Sequence, residues 1–313
     1  MWNYIGRRIL ATIPVLLIVA VLVFLMLRLT PGDPAAVIAG DAATTQDVAE
    51  IRARLGLDRP MVTQFFIWIG RGLQGDFGES FFYKKTVASL IADRIEPTLA
   101  LATLTILLAT LVAVPLGTLA AYRQGSWIDR IVMGISVMGF SVPVFVIGYV
   151  LIYVFALQLG WFPVQGYQRL ADGIGGFLHR LILPSITLAV VFVALLARMT
   201  RTSVLEVLNE DYVRTARAKG LPNLKVLVFH ALRNAAVPIV TVIGIGIAVL
   251  IGGVVVTESV YNIPGLGRLT VDAVLARDYP TVQAVILLFS FAYVLINLAI
   301  DLMYTVLDPR IRY

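Results

Sequence analysis

The most polar and most basic stretch in the second half of the chain is "EDYVRTARAKGLPNLKVLVFHALRNAAVP", Glu210 to Pro238. Arg214, Arg217, Lys219, Lys225 and Arg233 give it the chemistry of a cationic contact surface, with no nucleophile and base beside them. Elsewhere the chain offers little to a catalyst. It has no Cys and two His, His179 and His230, neither with ligand-like neighbours, so no disulfide framework or thiolate metal site is expected. There is no G-x-x-x-x-G-K-[ST] phosphate cradle, not even one Gly-Lys pair, and no G-x-S-x-G or H-E-x-x-H. The expectation is a chain without catalytic, cofactor or metal site.

The elements around this stretch are apolar. Of 313 residues, 59% are hydrophobic and 14% charged, with a mean hydropathy of +0.89. Those values belong to an integral membrane protein. The net charge of +6 then reads as positive-inside bias and lipid contact, with no nucleic acid partner. A span needs about 20 apolar residues. Six segments meet or approach that: Ile9 to Leu29, Thr98 to Ala121 with Pro115 as a tolerated kink, Ile131 to Leu159 with Pro143 inside it, a short Leu181 to Ala197, Ala235 to Val256, and Thr281 to Leu307. The N-terminal run is longer than a typical signal-peptide core and lacks a small-residue cleavage site, so it reads as an uncleaved first span.

Lys and Arg in the short connections set the orientation. One side holds Arg7, Arg8, Arg123, Arg130, Arg198, Arg201, Arg214, Arg217, Lys219, Lys225, Arg233, Arg310 and Arg312; the other holds Arg169, Arg180, Arg268 and Arg277. The richer side is expected to be cytoplasmic, with both termini on it. Residues 30–97 then form an external insertion between a first segment, 1–29, and a membrane domain, 98–313. Within the insertion, "TTQDVAEIRARLGL" predicts a helix with Thr45 as N-cap and Gly56 as its stop. The following "PMVTQFFIWIGRGL" has an aromatic-rich apolar face suited to a membrane surface.

The opening stretch lies in the largest inner loop, 198–234. Asn209, Glu210 or Asp211 can begin a helix there, and Gly220 followed by Pro222 ends it. A second short helix is expected from Leu224 to Asn234. Such cations hold a loop to anionic lipid; the small residues Ala216, Ala218 and Gly220 among them also suit a helix that enters another protein's groove. "DYVRTARAKG" followed by "HALRNAAVPIVTVIG" resembles the cytoplasmic coupling loop of permeases in binding-protein-dependent ABC importers of the peptide/nickel group. The likeness continues through "PGDP", "LGLDRP", "GDFGES", "NIPGLGRL", "RDYPTVQ" and the terminal "LDPRIRY", in order along nearly the whole chain. Importers generally carry Glu-Ala-Ala, a Gly and a Pro in this loop; the Gly matches Gly220, while Arg214 stands at the Glu position and Arg233 at the Pro position.

The resemblance implies an all-α, polytopic type I ABC importer permease fold with six transmembrane helices in the inner membrane. It implies a coupling helix made of Tyr212, Arg214, Thr215, Ala216, Arg217, Ala218, Lys219, Gly220 and Leu221, with His230 helping to fix the loop. Two cytoplasmic ATPase subunits would use ATP and Mg, this chain binding neither. A second permease subunit and an extracytoplasmic substrate-binding protein complete the assembly, with Asp33, Asp76 and Glu79 as candidates for contact with the latter. The small-residue stripe Gly244, Ala248 and Gly252 suits close helix approach, inside this subunit or across to the second. Asp301, one turn from Asn297 near the inner end of the last span, suits a structural or paired acid. The implied function is inward translocation of peptides of the dipeptide, oligopeptide or glutathione class. Nickel or another small solute is the alternative within the same assembly, and an ion-coupled secondary transporter the alternative outside it.

Overall fold

The computed structural model describes residues 2–29, 34–39, 43–54 and 56–307. In order these form α1 (Trp2–Leu29), α2 (Pro34–Ala39), α3 (Thr45–Arg54), α4 (Met61–Leu73), a hairpin of β1 (Glu79–Ser80) and β2 (Lys85–Thr86), α5 (Val87–Tyr122), α6 (Trp127–Ser141), α7 (Val144–Leu151), α8 (Ile174–Leu208), α9 (Asp211–Ala218), α10 (Asn223–Lys225), α11 (Ala236–Val260), α12 (Leu266–Leu275) and α13 (Tyr279–Leu307). Two π-helical turns, Ile152–Gln158 and Val226–Leu232, extend α7 and α10. By contacts the chain divides into one unit of Met1–Arg94 with Leu269–Leu295 and another of Ile95–Arg268 with Ile296–Tyr313.

Four of the described helical segments are long and apolar enough to cross a membrane: Arg8–Met26, Val87–Tyr122, Ile174–Leu208 and Tyr279–Met303. Two bent pairs, α6 with α7 and its π-turn, and 223–232 with the start of α11, bring the number to six when each pair counts as one span. The third expected span is therefore not straight: the chain turns by 104° between α6 and α7. Pro143 explains the break. A residue before proline is pushed out of the helical region, and Val142 sits at φ −99, ψ 126. The fourth span is longer than expected, since α8 runs 35 residues from Ile174 to Leu208, roughly 50 Å. Its last turns carry Arg198, Arg201 and Glu206, which hide them from a hydropathy reading but not from helix formation.

In the first unit, α4 lays one edge of its aromatic face on α1: Phe24 meets Phe65 at 5.2 Å and Trp68 at 5.7 Å between ring centres. Phe66 and Val62 remain exposed. Helix α3 begins one residue earlier than expected, at Thr45, and its N-cap is Thr44. The Thr44 hydroxyl and N–H both donate to Asp47 Oδ2 (2.7 and 2.8 Å), while the Asp47 N–H returns a bond to Thr44 Oγ1 at 3.2 Å. This reciprocal capping box holds the Asp47 carboxyl below its ordinary pKa. Gly56 ends the helix with φ +66, its N–H bonded to Ala53 O.

In the second unit, α5, α6, α7 and α11 pack around α8. The core falls into two clusters along α8, one around Leu181, Leu188 and Phe192, the other around Leu196, Ala197 and Val204. A Cβ on Gly117 of α5 would come within 2.8 Å of Thr200 Cβ, and one on Gly139 of α6 within 3.0 Å of Ala194 Cβ. At Gly117 the approach of α5 to α8 is closer than a side chain allows, and at Gly139 that of α6 is tight enough that a side chain would have to displace its neighbour.

Candidate functional site

The segment after α8 is built from a few local rules. Asn209 closes α8, its side-chain amide donating to Leu205 O at 3.0 Å. Glu210 then takes extended geometry (φ −69, ψ 146) as the N-cap of α9, without a side-chain capping bond. Gly220, at φ +78, sends its N–H to Arg217 O at 2.9 Å, and Leu221 returns to Ala216 O, so the helix stops where the sequence places its Gly. The second expected helix is α10 continued by the π-turn Val226–Leu232, leading into α11. His230 lies in that turn, its carbonyl accepting from the Asn234 amide at 2.6 Å.

A narrow apolar seam holds α9. Val213, Ala216 and Val226 are buried, packed against Val207 and Leu208 at the end of α8 and against Leu221. Among the nine residues named for coupling, Ala216 faces this seam and Leu221 is half-buried beside it; Tyr212, Arg214, Thr215, Arg217, Ala218, Lys219 and Gly220 are exposed. Arg214 reaches Asp211 at 3.3 Å but keeps 71% of its side chain in solvent. Partial burial, then the nearby Glu210 charge, pushes the Tyr212 phenol up. The result is a short helix with a fixed inner edge and an outer face of Arg and Lys, able to dock into an acidic cleft and unable to do covalent chemistry. Val213 is the anchor that motif reading passed over. Its spacing of three from Ala216 is the amphipathic signal that identifies it.

The other candidates fall elsewhere. Asp76 and Glu79 line one cavity of about 410 Å³ in the first unit, together with Arg59, Arg71, Trp68 and Phe77. Asp76 also closes its own turn, accepting the Gly78 N–H at 3.0 Å. Asp33 lies outside the described residues, and so does the side chain of Ala248. Gly244 packs within this chain, since a Cβ there would strike Ile300 of α13, whereas Gly252 is open with nothing within 4 Å. The close approach of α11 to α8 runs instead through Gly246, against Phe192, and Gly253, against Leu188. Asp301 and Asn297 both have interaction partners.

Among the buried polar centres of the described residues that were not anticipated, three lie away from α9. Glu258, fully buried near the end of α11, accepts from the Thr98 hydroxyl at 2.6 Å and from the Arg268 N–H at 2.9 Å; Thr98 in turn accepts the Leu266 N–H at 2.8 Å. Its carboxylate caps the N-terminus of α12, and Gly265 leaves it the room, since a Cβ there would strike it, while Gly267 lets α12 lie close to Val255. Tyr261, 1% exposed, shares a bond of 2.7 Å with the Thr187 hydroxyl and donates to Gly148 O at 3.3 Å. In the first unit Asp278 Oδ2 accepts from Ser80 (2.5 Å) and Thr281 (2.7 Å), tying the hairpin to the start of α13. The signals were an acid a few residues before a Pro-Gly-x-Gly turn and an acid beside a Tyr-Pro helix start.

A helical membrane chain with a short, cationic surface helix between two spans is the class these features define. Its sequence matches the family described as "Binding-protein-dependent transport system inner membrane component" over residues 113–313, and the N-terminal module of such membrane components over residues 1–102. The chain belongs to that family of ABC transporter permeases, with the type I importer permease fold, and is a multi-pass inner-membrane protein. It is 54% identical over 310 residues to a probable peptide ABC transporter permease of Sinorhizobium fredii, covering 99% of each chain. It is 46% identical to a putative peptide transport system permease of Brucella abortus (98% of each). With a glutathione transport system permease of Escherichia coli K12 it shares 47% over the full length of both.

Proposed function

We propose that this chain is one permease subunit of an ATP-driven importer of short peptides, of the dipeptide, oligopeptide or glutathione class, and that α9 is its contact with an ATPase subunit. The carrying observation is the geometry of α9: anchored to α8 by Val213 and Ala216, and cationic outward. A rigid helix of this kind transmits a displacement of a few Å instead of absorbing it. The names of the relatives support the peptide class.

In this reading the 198–234 segment and both termini are cytoplasmic, and residues 30–97 are external. Two ATPase subunits hydrolyse MgATP, a second permease subunit completes the pathway, and a binding protein delivers peptide to the external face near Asp76 and Glu79, with Asp33 a further candidate for that contact. The chain itself binds no cofactor. It is a bistable element, and both ATP and the loaded binding protein bias the equilibrium between its two states.

The test is uptake of labelled di- and tripeptides by proteoliposomes containing the assembled transporter. Uptake requires ATP and survives collapse of the proton gradient. The double change Arg217→Glu with Gly220→Trp leaves the chain in the membrane and removes ATP-dependent uptake. Unchanged uptake by that variant takes α9 out of the mechanism; uptake that continues without ATP defeats the whole reading.

A further inference from the structure

The helix that anchors α9, α8, is also tied to α6 by a two-bond ion pair. Arg201 lies on α8 two turns before its end, and Asp129 in the first turn of α6. The guanidinium grips the carboxylate with two bonds, Nε to Oδ1 at 2.5 Å and Nη2 to Oδ2 at 2.7 Å. Asp129 Oδ2 also accepts the Gly125 N–H at 2.9 Å, and the Asp129 N–H donates to the Ser126 hydroxyl, so the same residue closes the α5–α6 turn. The Asp129 side chain is 6% exposed and that of Arg201 21%.

Around this pair the three helices touch through small and apolar groups, Gly117 on Thr200 and Gly139 on Ala194. Apolar contacts of that kind bring helices together without fixing their axial register. A bidentate Arg–carboxylate pair does fix it, because both bonds must be satisfied in one orientation. One side of the pair belongs to the helix whose last turn, Val207 and Leu208, anchors α9. The other belongs to α6, which ends at the 104° turn before α7.

We propose that the Arg201–Asp129 pair is the positioning link through which a displacement of α9 reaches α6, making the α5–α6 turn and the end of α8 move as one body. The proposal rests on the coupling role of α9. Without the link, the end of α8 still follows α9, but α6 and the bend beyond it do not follow α8.

The test uses the complete transporter in proteoliposomes, comparing the parent with Asp129→Asn, Arg201→Lys and the reversed pair Asp129→Arg with Arg201→Asp. Asn keeps the shape of Asp, and Lys keeps the charge of Arg without its fork. The expected result is ATPase subunits retained, ATP hydrolysis within about twofold of the parent, and peptide taken up per ATP lower by about tenfold in both single variants, with partial recovery in the reversed pair. Because the chain has no Cys, spin labels on cysteines placed at Arg123 and Glu206 report one distance. It stays constant through ATP addition in the parent and changes in Asp129→Asn. An unchanged uptake-to-ATP ratio in Asp129→Asn overturns the proposal, and so does loss of the ATPase subunits from that variant, which would make the pair a matter of assembly. If the Arg217→Glu, Gly220→Trp control uncouples transport while Asp129→Asn does not, α9 keeps its role and only this link falls; if that control transports normally, the failure is that of the α9 reading.

Discussion

Two ends of the second unit, the α9 segment and the elbow between α11 and α12, are held by opposite means. The elbow is fixed by buried, directional bonds: Glu258 and Tyr261 are almost wholly out of solvent, and each ties its helix to a partner far away in sequence, Thr98 and Thr187. The α9 segment has an N-cap without a side-chain bond, one apolar seam and a charged outer face. The difference separates two tasks. A buried polar network has one low-energy arrangement and specifies it sharply. An apolar seam with an exposed charged face tolerates rocking and leaves its remaining affinity for another surface. In the proposed cycle, the elbow is the fixed end and α9 the end that is pushed.

The largest expected effect is at the elbow. Glu258→Ala leaves the Thr98 hydroxyl and the Arg268 N–H buried without their acceptor, at a cost of roughly 3 kcal/mol. Glu258→Gln keeps an acceptor and costs about 1 kcal/mol. Thermal unfolding in detergent measures both; equal small shifts would mean that the elbow is no stiffer than the α9 end, and the comparison fails. Val213→Asp acts at the other end. It places a carboxylate in the seam, which detaches α9 at little cost to the spans, so the melting temperature moves by less than in Glu258→Ala while ATPase subunits no longer co-purify. A large loss of stability with the subunits still bound would invert the assignment.

How far these two ends could be read from sequence differs for the same physical reason. The α9 segment was legible almost to the residue. Its start, its Gly220 stop and its cationic face are local properties, set by residues within one or two turns of each other. The elbow was not. Glu258 looks like an ordinary acid at a helix end until the fold brings Thr98, 160 positions away, against it. Arg201 was counted only among the positive charges of the inner side, and Asp129, 72 positions away, was passed over for the same reason. Helix existence was likewise local and visible in hydropathy, while lengths were misjudged wherever charge continued an apolar helix, as in α8 from Arg198 to Leu208. The stripe on α11 was legible only in part: Gly244 does meet Ile300 of α13 inside this chain. Small residues at helical spacing announce close packing, but which of them meets a neighbour depends on the rotation of the helix, and Gly246 and Gly253 carry the contact with α8.

A smaller effect sharpens the elbow. Tyr261→Phe removes one hydroxyl bonded to Thr187 and Gly148 and leaves the ring in place, so about 1 kcal/mol is lost and the melting temperature falls by a few degrees. With the Tyr hydroxyl gone, Thr187 is free to give its proton to Leu183 O, 3.0 Å away, so its hydroxyl is not orphaned, which keeps the cost below that of Glu258→Ala. A shift as large as that of Glu258→Ala would make Tyr261 the centre of the elbow.

The smallest change in stability belongs to Arg217→Ala, and it is the sharpest test of the contrast between the two ends. Arg217 is exposed near the C-terminus of α9, and removal of a solvated side chain from such a place shifts stability by less than about 0.5 kcal/mol. Its expected consequence lies in binding: a cation at the rim of a charged contact chiefly sets the association rate and its salt dependence. The variant therefore unfolds like the parent but binds its ATPase subunits more weakly, with the difference largest at low ionic strength and fading as salt screens the contact. Titration of detergent-solubilised chain with the ATPase subunits at two salt concentrations measures it. If weakening is equal at both, the contact is made by shape through Ala218 and Gly220, and the outer face of α9 is a surface for close packing instead of charge. That outcome would leave the elbow as described and change only what pushes against the other end.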